Sequence, residues 1–235
     1  GNVTPRSAAW GTTFNFTLNV SDNLGDTVNV TLQYQILGQG WTDHTMESCT
    51  NCSDNGLLNY TQLNWSLILP CQNYAGQYMK FRFNATDQEG NMKISDVLNP
   101  GQYEDSDDTF QVEKASANIT YIYGNETITA LSQATEFGVQ VYNLDNSTPF
   151  SGFNIPTVYF RVTTDGLLTP TVMINSSSTN SSGHANVTFL PDSQFQQGNQ
   201  TWYAYIDPSS TCYQYNNTEN LTVTVNVNYP PYVED

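Results

Sequence analysis

The chain has 235 residues, 22 of them acidic and 6 basic, for a formal charge of −16. Six scattered cations, Arg6, Lys80, Arg82, Lys93, Lys114 and Arg161, do not make the clustered positive surface that phosphate binding needs, so nucleic acid is a poor partner and an anionic membrane surface is disfavoured. Charged residues are only 12% of the chain, which leaves Asn, Gln, Ser and Thr to keep it in solution, and no run of 18 apolar residues offers a membrane-spanning helix.

Taken in order, the chain reads as strands. In Phe14-Asn15-Phe16-Thr17-Leu18-Asn19-Val20-Ser21 apolar residues hold the even positions and polar ones the odd; successive strand side chains leave on opposite faces, so Phe14, Phe16, Leu18 and Val20 point inward together. The turn cluster Ser21 to Asp26 follows, and the alternation returns at 29–34, 64–67 and 81–86. After the turn Asp87 to Asn91 and the acidic, Pro- and Gly-containing stretch Asn99 to Asp108, Thr109 to Glu113 reads as a closing strand. A new strand opens at 117–121. Beyond it come the turns at 163–166, 180–183 and 196–199 and strands at 186–189 and 220–227. Helical periodicity is missing throughout. Many short alternating strands between turns predict an all-β fold of two tandem immunoglobulin-like β-sandwich domains, at 1–115 and 116–228. Residues 229–235 read as a linker: the tail PPYVED joined to the head GNVTP would make a spacer, so the chain is expected to be one repeat of a longer tandem array.

The triplet Asn-x-Ser/Thr begins at Asn2, Asn15, Asn19, Asn29, Asn51, Asn59, Asn64, Asn84, Asn118, Asn125, Asn146, Asn175, Asn180, Asn186, Asn199, Asn216 and Asn220, seventeen times. With 27 Asn and 48 Ser or Thr in the chain, random order would give about five or six. A surplus of this size marks covalent N-glycans. Because the triplet spans the strand period, its Asn and hydroxyl share one face while the central residue takes the other; that explains why so many centres are apolar.

Four cysteines, Cys49, Cys52, Cys71 and Cys212, allow three pairings, and in a glycosylated chain they read as disulfides. Cys71 is expected to pair with Cys49 or Cys52, and Cys212 to tie the halves together or stay free. No second Cys/His pair supports a zinc site at Cys49 and Cys52. His44 and His184 read as surface or turn residues, and without a nucleophile elbow, metalloprotease, phosphate-loop or dinucleotide motif the chain is read as no enzyme. No cofactor is required. Structural calcium is the one candidate: Asp22, Asp26, Asp87 and Glu89 sit in two loops that a sandwich places at one end, with Glu104 to Asp108 as further oxygens. Trp41, Trp202, Tyr203 and Tyr205 could stack sugars, although large rings more often pack in cores.

The run Trp10 to Leu32, W-G-T-T-F-N-F-T-L-N-V-S-D-N-L-G-D-T-V-N-V-T-L, and Lys80 to Asp87, K-F-R-F-N-A-T-D, resemble the Ig-like repeats of archaeal surface-layer and other cell-surface glycoproteins. Ser181 to Asp192, Gly198 to Ala204 and Asn220 to Val225 are similar to the Ig-like modules of invasin-type and archaeal envelope proteins. No acceptor has an acidic residue two positions before it, which leans away from bacterial glycosylation. The resemblance implies an extracellular, self-assembling structural repeat of a surface layer, sheath or filament, whose partners are copies of itself and neighbouring repeats. One route would be donation of the strand Leu221 to Val227 to a neighbour's sheet. An adhesion or receptor ectodomain binding a protein or carbohydrate is the alternative.

Overall fold

A computed structural model describes residues 1–22, 25–50, 52, 60–94, 109–145, 147–150, 155–167 and 169–226. The chain divides into two compact units, Gly1–Lys114 and Ala115–Asp235. The expected linker at 229–235 lies outside the described residues.

In the first unit the strands are β1 (Asn2–Thr4), β2 (Ser7–Ala9), β3 (Thr13–Val20), β4 (Val28–Ile36), β5 (Thr42–Cys49), β6 (Thr61–Ile68), β7 (Gln77–Thr86), β8 (Met92–Ile94) and β9 (Thr109–Glu113), with one four-residue helix, α1 (Cys71–Tyr74). They form a three-stranded sheet, β1-β3-β6, and a larger one, β2-β9-β7-β4-β5, with β8 added beside β7. The cis Thr4–Pro5 peptide marks where the chain leaves β1 in one sheet for β2 in the other. There β2 runs parallel to β9, while β1 runs antiparallel to β3.

Alternation builds the core between the sheets. Phe14, Phe16, Trp65 and Leu67 from the smaller sheet meet Phe81, Phe83, Phe110 and Val112 from the larger, all buried. The rings interlock at an angle, Phe16 edge to face with Phe81 at 5.1 Å and Phe14 tilted 55° against Phe110 at 4.9 Å between centroids. Such offset pairs add to the gain from area burial. The Trp65 indole keeps its polar end satisfied by donating to the Thr45 carbonyl at 3.0 Å.

The second unit repeats this wiring with β10 (Ala117–Tyr123), β11 (Thr127–Ala130), β12 (Thr135–Asn143), β13 (Thr148–Pro149), β14 (Thr157–Val162), β15 (Val172–Ser178), β16 (His184–Phe189), β17 (Gly198–Ile206), β18 (Asn216–Asn217) and β19 (Leu221–Asn226). One sheet is β10-β12 with β16 and β13 along the other side of β12; the second is β11-β19-β17-β14-β15, with β18 against β17. Again the chain changes sheets near its start, between β10 and β11, and again the second segment runs parallel to the last strand, β19. The crossing point is Gly124 at φ +102°, where a Cβ would lie 2.7 Å from the Glu136 carbonyl oxygen and 2.7 Å from the Phe137 ring. Only glycine passes so close to β12. Its carbonyl accepts the Trp202 indole N–H at 3.2 Å, and Trp202 stacks on Phe137 with centroids 4.2 Å apart. Each unit is thus an immunoglobulin-like β-sandwich.

Two expectations are corrected. Cys49 pairs with Cys52, with Cα atoms 5.7 Å apart, so Cys71 takes neither of them. Cys71 and Cys212 are also disulfide-bonded, and Cys212 is not free. Nor is Leu221–Asn226 a spare strand: β19 lies between β11 and β17 in its own sheet.

Replacing Phe16 by Ala is expected to lower stability by about 3–5 kcal/mol because the site cannot collapse around the lost ring. Thr17→Ala, one residue on but facing outward, should change it by less than about 0.5 kcal/mol. Urea unfolding of the unglycosylated chain checks both.

Candidate glycan-bearing surface

Fourteen of the seventeen acceptor asparagines are described; Asn51, Asn59 and Asn146 lie outside the described residues. None of the fourteen is buried: nine are exposed, and Asn29, Asn84, Asn118, Asn125 and Asn216 are half-buried. Eight of their nine apolar centres do the opposite, Ala85 being half-buried. Val3, Phe16, Val20, Val30, Trp65, Ile119, Val187 and Leu221 are all buried. Strand period therefore sorts one triplet onto two sides of a sheet.

Register adds what the sequence does not display. Across β1, β3 and β6 three triplets stand side by side: Asn2 faces Thr17, which faces Asn64, and in the next outward row Thr4 faces Asn15, which faces Ser66. The Ser66 hydroxyl donates to the Asn15 side-chain oxygen at 2.9 Å. In the larger sheet Asn29 lies opposite Thr86 and Thr31 opposite Asn84. Each of these acceptors thus has a small hydroxyl residue beside it.

Five described triplets have polar centres, Glu126, Ser176, Ser181, Gln200 and Asn217, and of these five Gln200 alone is buried. In Asn199-Gln200-Thr201 the central Gln200 is 1% exposed. Its amide oxygen accepts from the Thr163 hydroxyl and the Gly166 N–H, both at 2.9 Å, and its Nε2 donates to the Gln196 carbonyl at 2.8 Å. Burial of a polar amide is tolerated because its hydrogen-bonding groups are paired.

The expected calcium constellation is not assembled. Among the described residues no group of three or more His, Cys, Asp or Glu side chains converges. Asp22 accepts its own loop's Asp26 N–H at 3.2 Å. Asp87 accepts the backbone N–H and the side-chain amide of Asn91, each at 2.7 Å, and this side-chain bond above all holds its carboxyl below the usual carboxylate range. These aspartates serve turns. Glu104 to Asp108 lie outside the described residues. Between the two loops the first unit has a cavity of about 380 Å³, with Val20, Val28, Phe83, Ala85 and Met92 among its walls and Asn19 at its lining.

The aromatic platform divides likewise. Trp202 is fully buried, and Trp41 belongs to the first unit, where the Arg82 guanidinium lies 4.0 Å above its ring. Tyr203 and Tyr205 do share an outward sheet face, joined by residues that sequence reading passes over. Tyr159 and Tyr203 each lie 5.5 Å from Tyr205, Tyr215 lies 6.5 Å from it, and the Arg161 guanidinium sits 5.4 Å over its ring. Arg161 is the sole Lys or Arg in its unit, which has nine Asp and Glu. Its hydrogen bond to the Tyr205 hydroxyl raises its pKa further. Tyr159 and Arg161 fall two apart on β14, a spacing that could have flagged a shared face.

Among the described residues no helix is long and apolar enough to cross a membrane. No family model matches the chain, and no curated protein matches it. Solved structures that it resembles include a tetra-tandem repeat in the extending region of a large adhesion protein, at 13% identity and a TM-score of 0.43, covering 94% of this chain and 47% of that one. Another is a marsupial T cell receptor, at 10% identity and a TM-score of 0.36, covering 97% of this chain and 73% of the receptor. The chain thus spans about half the length of the first of these. At such distances the likeness says nothing about activity, and the fold assignment rests on strand topology.

The Asp87 carboxyl is expected to titrate below the usual range, and Asn91→Ala to return it upward. A carboxyl-carbon NMR titration of both proteins reads the difference.

Proposed function

We propose that the chain is a structural, heavily N-glycosylated module of an extracellular surface layer, sheath or filament of archaeal type. Two sandwiches, the first carrying the Cys49–Cys52 disulfide, supply rigid length; the sugars hydrate and shield their outer faces; copies of the chain associate with one another and with neighbouring repeats. The observation that carries this reading is the sorting of the triplets: every described acceptor reaches the surface, while eight apolar centres fill the core. A chain with few charges gains from this arrangement a hydration shell that its own side chains provide only weakly. Disulfides fit an oxidising, extracytoplasmic setting.

A second reading, an adhesion or receptor ectodomain, draws on the Tyr159-Arg161-Tyr203-Tyr205-Tyr215 face. Mutually tilted tyrosines around one cation, with Tyr205 itself buried and its neighbours more open, suit an acidic sugar or carboxylate through stacking and charge-assisted hydrogen bonds.

Intact mass of the secreted protein before and after enzymatic or chemical deglycosylation should reveal sugar at well over four acceptors, and native material should image as a lattice or fibre. Loss of fewer than four glycans sinks the first reading. Monodisperse protein that binds an acidic-oligosaccharide array, with binding lost in a folded Arg161→Gln variant, establishes the second.

A further inference from the structure

Each sandwich has a smaller sheet whose longer edge strands are β1 and β6 in the first unit and β10 and β16 in the second, where the two-residue β13 continues the β16 side of β12. Every one of these four strands carries an acceptor, Asn2, Asn64, Asn118 and Asn186 respectively. The larger sheets differ. Their edges β2, β5 and β11 carry none; β15 holds Asn175, and the two-residue β18 against β17 holds Asn216. Edge strands present unpaired N–H and C=O groups to any passing strand, a liability that proteins commonly blunt with charge, proline or bulges. This chain has little charge to use: β1, β6 and β10 contain no Asp, Glu, Lys or Arg, and β16 has only His184. Among the edges β2, β5, β11 and β15 of the larger sheets, β5 alone carries charge, Asp43 and Glu47.

We infer that the sugars at Asn2, Asn64, Asn118 and Asn186 guard the edges of the two smaller sheets against strand addition. The inference rests on the acceptors being glycosylated and assigns these four a task the others lack. A strand adding to an edge would lie about 4.8 Å away, with its nearest side chains about 5 Å from those of the edge strand. A sugar rooted on that edge strand overhangs this lane. Inside the sheets the fold tolerates acceptors by placing small hydroxyl residues opposite them, as Thr4 and Ser66 flank Asn15. An arbitrary incoming strand offers no such gap. Acceptors on inner strands stand over pairings already made and shield no free hydrogen-bonding groups.

A matched pair of variants of the full glycoprotein separates guarding from general solubility. The edge set is Asn2, Asn64, Asn118 and Asn186→Gln; the inner set is Asn15, Asn29, Asn84 and Asn199→Gln, on β3, β4, β7 and β17. Each removes four acceptors. A parallel edge set, Thr4, Ser66, Thr120 and Thr188→Ala, removes the same sugars with the asparagines intact, and circular dichroism verifies folding. Intact mass is measured first: absence of glycan at every site refutes the glycoprotein reading, whereas absence at the four edge sites alone refutes only the guard. With sugars present, sedimentation velocity should show both edge sets shifting to dimers and larger species relative to the unaltered protein, and the inner set unshifted. Equal shifts in all sets, or none in the edge sets, overturn the guard role.

Discussion

The whole architecture depends on a coincidence of periods. A sheet presents alternate side chains to water and to its core, and an acceptor triplet is two steps long, so its asparagine and its hydroxyl return to the same side. One short motif can then carry a polar attachment point and an apolar packing residue at once. Phe16 and Trp65 are the clearest cases: each is buried in the first sandwich and each is flanked by an acceptor and its hydroxyl on the outer face. Whatever the acceptors do, the cores between the sheets require the same triplets to fold.

Charge economy follows from that arrangement. Where most surfaces are kept apart and in solution by Lys, Glu and their kin, this one uses amides and hydroxyls, which hydrogen-bond laterally along the outer rows: Ser48 donates to Asn29, Ser66 to Asn15 and Thr224 to Asn199. Two of the six cations lie over rings, Arg82 over Trp41 and Arg161 over Tyr205. In the second unit that leaves a single positive group framed by tyrosines on an otherwise acidic module.

The sandwiches were legible where alternation is strong. Phe14 to Val20, Asn29 to Tyr34 and Leu221 to Val225 announce one wet and one dry side, because both faces of those strands are decided by burial. Strands β5 and β15 were not legible: Thr42–Cys49 and Val172–Ser178 lie at sheet edges with few buried residues, so nothing imposes a period on them. Pairing of cysteines was unreadable for a different reason, since three connectivities satisfy the same spacing and only the approach of Cys52 to the end of β5 selects Cys49. The loops holding Asp22 and Asp87 were read as ligand carriers, yet their oxygens accept hydrogen bonds from nearby backbone; acidic residues in turns serve either purpose, and the sequence does not say which. The face around Arg161 escaped because its members come from two strands, β14 and β17, and from Tyr215 just before β18, brought together only by folding.

Both sandwiches share a further trait, the parallel pairing of an early strand with the final one: β2 beside β9, and β11 beside β19. A pull applied along the polypeptide at the two ends of either module draws these neighbours past each other lengthwise. Their rungs are then strained together in shear, and rupture needs several to fail in concert. An antiparallel hairpin tugged at its open end unzips one rung at a time. Each module is consequently wired to resist tension along its chain.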